Sequence, residues 1–110
     1  MQSLDFARKK CKPCEGGARP FPAKKVRQYL RQIEGWSFKK GKIGRDFMFK
    51  NYYETISFVN AVAWICHRED HHPDIEFGYK TCRVSFWTHA IGGISENDFI
   101  CAAKINELPP

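Results

Sequence analysis

The chain has 110 residues, a hydrophobic fraction of 43% and an aromatic fraction of 15%, which is enough for one packed domain and too apolar for a disordered segment. The formal charge of +6 raises the question of an acidic partner, yet the excess lies in a flank: Arg8, Lys9, Lys10, Lys12 and Arg19, then Lys24, Lys25, Arg27 and Arg31. No interleaving of exposed aromatics and no helix-turn-helix pattern accompanies these residues, so a solvated flank is expected rather than direct nucleic-acid binding.

No apolar run approaches the roughly 18 residues of a membrane span, and Met1 to Lys10 has no apolar signal core. Five cysteines (Cys11, Cys14, Cys66, Cys82 and Cys101) make an odd count without a disulfide framework. Together these features predict a reduced protein of the cytoplasm, with no membrane contact.

Residues 1–20 read as an irregular basic leader, with turn chemistry at Lys12-Pro13 and Gly16-Gly17, and residues 21–110 as the folded domain. The leader shows no periodicity, so removing residues 1–18 is expected to leave fold and turnover largely unchanged. Pro22 suits the first position of a helix carrying Val26, Tyr29, Leu30 and Ile33, which Gly35 stops. Trp36 to Phe38 reads as a short strand and Lys39-Lys40-Gly41-Lys42 as a turn. Ile43 to Phe49 alternates as a half-buried strand.

The most periodic segment follows. Tyr52, Ile56, Val59, Ala63 and Cys66 step by four and three, widened by Phe58, Val62 and Ile65, which predicts a long helix facing a core. Pro73 disfavours helix at His72, so this helix should end near His71. Ile75 to Tyr79 and Thr81 to His89 read as two strands; in the second, Cys82, Val84, Phe86 and Thr88 share one face. Gly92-Gly93 turns into a last helix with Ser95 as N-cap and Phe99, Ala102, Ile105 and Leu108 inward. The order helix, two strands, helix, two strands, helix predicts an α+β fold: a four-stranded antiparallel sheet with three helices packed on one face.

All four histidines, His67, His71, His72 and His89, fall within this second half. Imidazole is the one side chain whose ordinary pKa lies near neutrality, so the cluster suits proton transfer. His67 and His71 share the helix's last turn by spacing. The exposed carbonyls of a helix C-terminus favour imidazolium at His71, and Asp70, Asp74 and Asp98 are candidates to fix tautomers. Surface histidines with no shared task are one reading. A metal site is a second, but Arg68 stands where the zinc-protease helix needs Glu, and adjacent His71-His72 is awkward for one ion. Metal-free acid–base catalysis on a small flat molecule is the third.

The complete spacing separates these readings. His67, three residues, His71-His72-Pro73, five residues, Tyr79, nine residues, His89, eight residues, Asp98: this pattern resembles the active-site signature of the pterin-4a-carbinolamine dehydratases. Trp36, Arg45-Asp46-Phe47-Met48-Phe49, Thr88-His89 before Gly92-Gly93 and Ser95-x-x-Asp98 are similar too, and the likeness covers roughly residues 21 to 108. The resemblance implies a four-stranded antiparallel sheet with three helices, assembled as a homodimer or homotetramer. It implies dehydration of 4a-hydroxytetrahydropterin to quinonoid dihydropterin, without metal or organic cofactor, in support of tetrahydropterin recycling for an aromatic amino acid hydroxylase.

On the same resemblance, His71, His72 and His89 match the catalytic trio; the sequence does not assign acid and base among them, and His72 is preferred here for the proton abstraction. Asp70, Trp87 and Thr88 fall where the family contacts the pterin, and His67, Pro73 and Asp98 are supporting positions. Asp98 also completes a capping box with Ser95. The first signature position, often Glu, is His67 here. Cys11-x-x-Cys14 is half a zinc site at best, with no second pair. Animal relatives of this family also serve as dimerisation cofactors of a homeodomain transcription factor, so a protein-binding module is the alternative.

Overall fold

The structure, a computed structural model, describes residues 4–13 and 18–109. Helix α1 spans Ala23–Leu30, strands β1 and β2 span Ser37–Lys39 and Lys42–Met48, and helix α2 spans Tyr52–Glu69. Strands β3 (Asp74–Phe77) and β4 (Thr81–Phe86) and helix α3 (Glu96–Asn106) complete the order, with short 3-10 turns at Phe6–Arg8 and His89–Ile91. All strand pairs are antiparallel, in the order β1-β2-β4-β3. The fold is the α+β sheet with three helices that the sequence predicts.

Alternation sets the sheet's faces. Cys82, Val84 and Phe86 of β4 are buried, as are Thr88 beyond it and Ile43 of β2, while Arg83 and Asp46 pair on the outer face at 3.0 Å. The β1–β2 hairpin turns through Lys40 and Gly41, both at positive φ (51° and 76°), as a tight two-residue turn demands. Helix α1 is shorter than its apolar spacing predicts. After Leu30 the chain continues in i to i+3 bonds, which still deliver Ile33 to the core before Gly35 at φ 87°.

Two expectations need correction. The inner stripe of α2 is Thr55, Val62 and Cys66, with Phe58, Val59 and Ile65 against the core; Tyr52 and Ala63 are exposed. Thr55 turns the helix this way, because its hydroxyl donates to the carbonyls of Asn51 and Tyr79 and is satisfied inside. The leader is not a detached flank either. Phe6 is 2% exposed, stacked on Phe99 at 5.6 Å and tilted against Tyr29 at 5.5 Å. Its basic residues pair within the chain: Lys9 with Glu96 at 3.1 Å and Arg8 with Glu107 at 3.3 Å, while Lys104 donates to the Ala7 carbonyl. Residues 14–17, including Cys14 and the Gly16-Gly17 turn, lie outside the described residues.

Candidate active site

Helix α2 ends at Glu69, earlier than the sequence predicts, because Asp70 takes the left-handed conformation (φ 52°) in which helices commonly stop. Its N–H returns to the carbonyls of Cys66 and His67, and that of His71 to Cys66. This cap removes His71 from the helix, so His67 and His71 do not share its last turn. His67 instead lies tilted against exposed Trp64 at 5.7 Å. Strand β3 then begins at Asp74 opposite Ser85, and continuing that register brings His71 and His72 beside the end of β4.

There the histidines separate into two kinds. The side chain of His71 is 11% exposed; its ring stacks on Phe86 at 5.8 Å and its Nε2 lies 2.6 Å from Oδ1 of the fully buried Asp98. Asp98 Oδ2 accepts the Ser95 N–H and the Thr88 hydroxyl, each at 2.9 Å. Asp98 thus caps α3 with one oxygen and contacts His71 with the other. Thr88 is held in turn by Ser95 at 2.7 Å and by an isolated bridge to Gly93, whose bareness Pro20 requires: a Cβ there would meet the Pro20 Cβ at 2.5 Å.

His72 and His89 are exposed, their ring centres 5.0 Å apart, and Trp87 lies flat against His89 at 3.9 Å. Asp74 stands near this pair. The hydrogen bond from Lys42 holds its carboxyl below the usual range against the opposing effect of burial, and the charges of Lys42, His89 and His72 add to the lowering.

A cavity of about 390 Å³ brings together Asp70, His71, His72, Thr88 and His89. Trp87 reaches it only through His89. On the other side of the histidine pair, a second hollow of about 360 Å³ is lined by His67, Asp70, His71, His72 and Pro73. Tyr79 lines neither and packs near Tyr52 at the far end of the sheet. Among the described residues, no group of three or more His, Cys, Asp or Glu is arranged to hold a metal ion, and no helix is long and apolar enough to cross a membrane.

Sequence reasoning missed one wall of the main cavity. Lys10, Cys11, Lys12 and Pro13 of the leader line it, opposite Arg68, Glu69 and Asn97. The Cys11 N–H donates to Glu69 at 2.8 Å, Lys12 N–H to Asn97 Oδ1 at 3.0 Å, Asn97 Nδ2 back to the Lys12 carbonyl, and Lys10 Nζ to the Arg68 carbonyl at 2.7 Å. Burial pushes the Glu69 carboxyl up, but the Cys11 N–H together with Lys104 and Lys10 outweighs it and holds Glu69 below the usual range. These are contacts of lone polar residues across 58 and 85 positions, for which the sequence has no periodic signal. The cysteine pair of the leader was the only hint.

The class of site is an imidazole-rich pocket at one end of an antiparallel sheet, with one histidine fixed by a buried carboxylate and two exposed to solvent. The family model for pterin 4 alpha carbinolamine dehydratase matches residues 19–108, and the chain belongs to that family. A Nitrosospira multiformis relative bearing the family's name is 60% identical over 104 residues, covering 94% of this chain and 92% of its own. One from Nitrosomonas europaea is 58% identical over 105 residues (94% and 93%). Among solved structures, a transcriptional coactivator/pterin dehydratase from Brucella melitensis aligns with a TM-score of 0.76 at 28% identity, covering 80% of this chain and 96% of that one. A pterin dehydratase-like protein identified as a RuBisCO assembly factor shares the fold alone, with a TM-score of 0.53 at 22% identity over 64% of this chain and 82% of that one.

Proposed function

We propose that this chain dehydrates 4a-hydroxytetrahydropterin to quinonoid dihydropterin by histidine acid–base catalysis, without metal or organic cofactor. The observation that carries the reading is the convergence of His71, His72 and His89 on one cavity of a size suited to a bicyclic ring. The C4a–O bond breaks as the hydroxyl takes a proton and leaves as water. The N5–H bond gives up its proton, and its electron pair forms the N5–C4a double bond. One imidazole supplies a proton and another accepts one, so the site ends the cycle with no net proton gained.

Asp98 occupies one nitrogen of His71 and fixes its ring, which leaves only Nδ1 for other partners. His72 is assigned to the N5 proton, since it is exposed and lies across from His89. Asp70, Thr88 and the Trp87–His89 stack form the surroundings of the ring, with Pro73 holding the His72 backbone and His67 at the rear hollow. The reading includes a cytoplasmic homodimer or homotetramer supporting tetrahydropterin recycling for an aromatic amino acid hydroxylase.

The test is the dehydration rate with freshly generated 4a-hydroxytetrahydropterin, measured against the uncatalysed reaction. Wild type should accelerate it and His72→Ala should not; equal rates for the two would overturn the reading. A second reading, a protein-binding coactivator module, is favoured by the exposed Met48, Phe77, Tyr79, Tyr53 and Trp64 and by the double description of the Brucella protein. Under that reading alone, the purified chain would bind a partner but would not accelerate dehydration.

A further inference from the structure

Cys11 belongs to the leader, outside the segment that the family model matches, and lines the histidine cavity. Its Sγ lies 3.7 Å from Cys101 Sγ, across 90 positions of sequence, and 3.6 Å from the Asn97 carbonyl. Cys101 sits on α3 with no exposure, and the Cys66 thiol packs on it as well. The sulfurs are therefore in van der Waals contact, one at the cavity wall and the other behind it. A disulfide needs about 2.05 Å between sulfurs, so the pair must close by roughly 1.7 Å. Helix α3 is fixed in the core, whereas the stretch around Cys11 is irregular and held by polar contacts to Glu69, Asn97 and Arg68, so the closing movement falls to the Cys11 side. By contrast, Cys82 is buried within the sheet with no thiol neighbour among the described residues; burial pushes its thiol up to about 11, while the Cys11 and Cys66 thiols, and then burial, push Cys101 up as well.

We propose that Cys11 and Cys101 are a redox-modification site, at which a hydroperoxide forms a disulfide that fastens the leader wall of the cavity to α3. The Cys11 thiolate attacks the peroxide oxygen, breaking the O–O bond; Cys11 becomes a sulfenic acid and the leaving oxygen departs as water or alcohol. Cys101 sulfur then attacks the Cys11 sulfur. The S–O bond breaks, and the departing hydroxide leaves as water with the Cys101 thiol proton. Two thiols are oxidised and one peroxide is reduced. The site requires nothing of the pterin chemistry.

The experiment treats the full-length protein with hydrogen peroxide, quenches by alkylation, maps disulfides by non-reducing peptide mass spectrometry, and follows amide exchange over residues 4–13. A Cys11–Cys101 linkage is expected, reversed by dithiothreitol, kept in Cys14→Ser and lost in Cys11→Ser. Exchange of the leader amides should slow by about an order of magnitude in the oxidised form. Pairing of Cys11 with Cys14, over-oxidation of Cys11 with Cys101 still a free thiol, or a linkage that leaves leader exchange unchanged would each overturn the proposal.

Discussion

Two short irregular segments meet at the end of α2, and they are built on opposite principles. Residues 70–73 hold the candidate reactive groups: a left-handed Asp70, a clamped His71, an exposed His72 and a proline, all local in sequence. Residues 9–13 are held by contacts over long separations: backbone groups of Cys11 and Lys12 bond Glu69 and Asn97, Lys9 and Lys10 reach Glu96 and the Arg68 carbonyl, and Lys10 to Pro13 edge the cavity. The first segment is legible because its residue types are rare and adjacent. The second depends on partners far along the chain. A site can therefore advertise its reactive groups while hiding the wall that encloses them.

The strongest way to test this contrast is to strip the reactive segment. His72→Ala and His89→Ala should each lower turnover by ~10²–10⁴, as for a lost general acid or base, with melting temperatures near wild type. Double variants should cost less than the product of the singles, because groups sharing one task are not additive. His71→Ala should lose turnover and stability together. Its removal leaves one oxygen of the buried Asp98 unpaired, which costs about 1–3 kcal/mol. Initial rates against pH with thermal melts alongside separate the two kinds; a His71→Ala protein as stable as wild type would mean that the Asp98 contact is dispensable.

Removing the wall comes next. Phe6→Ala should destabilise by about 3–5 kcal/mol, the usual cost of an emptied aromatic core site. Deleting residues 1–13 should in addition raise KM, since one side of the cavity is lost. Unchanged melting and KM in the truncated protein would return the leader to the dispensable flank that its sequence suggests.

A smaller effect is expected from the anchor between the segments. The folded-state pKa of Glu69 is depressed, so its contribution is present above the ordinary carboxylate pKa and is lost as pH falls through the lower folded value. Amide exchange at Cys11, referenced to the intrinsic rate, should therefore rise in acid. Glu69→Gln should show fast exchange at neutral pH and no such acid transition. The smallest effects belong to His67→Ala, which leaves the main cavity intact and should shift turnover only mildly. Prolonged chelation should not change the rate at all, and zinc lost in step with activity would contradict the metal-free assignment.

What the sequence by itself determined is what repeats or stands close together. Period-two and period-four apolar spacing yields the seven strands and helices in order, Ser95 with Asp98 marks the start of α3, and the histidine spacing points to the pocket and the family. Tertiary structure decided what rests on single polar contacts over long separations. Thr55, reaching two carbonyls, sets which face of α2 turns inward. Asp70 in the left-handed region, a conformation no side-chain pattern announces, parts His67 from His71. Asp98 divides its oxygens between a helix cap and a histidine, and Glu69 with Asn97 folds the leader over the site. Hydrophobic burial is non-directional and periodic, so it writes itself into sequence; a buried hydrogen bond is directional and solitary, so only the folded chain reveals its partner.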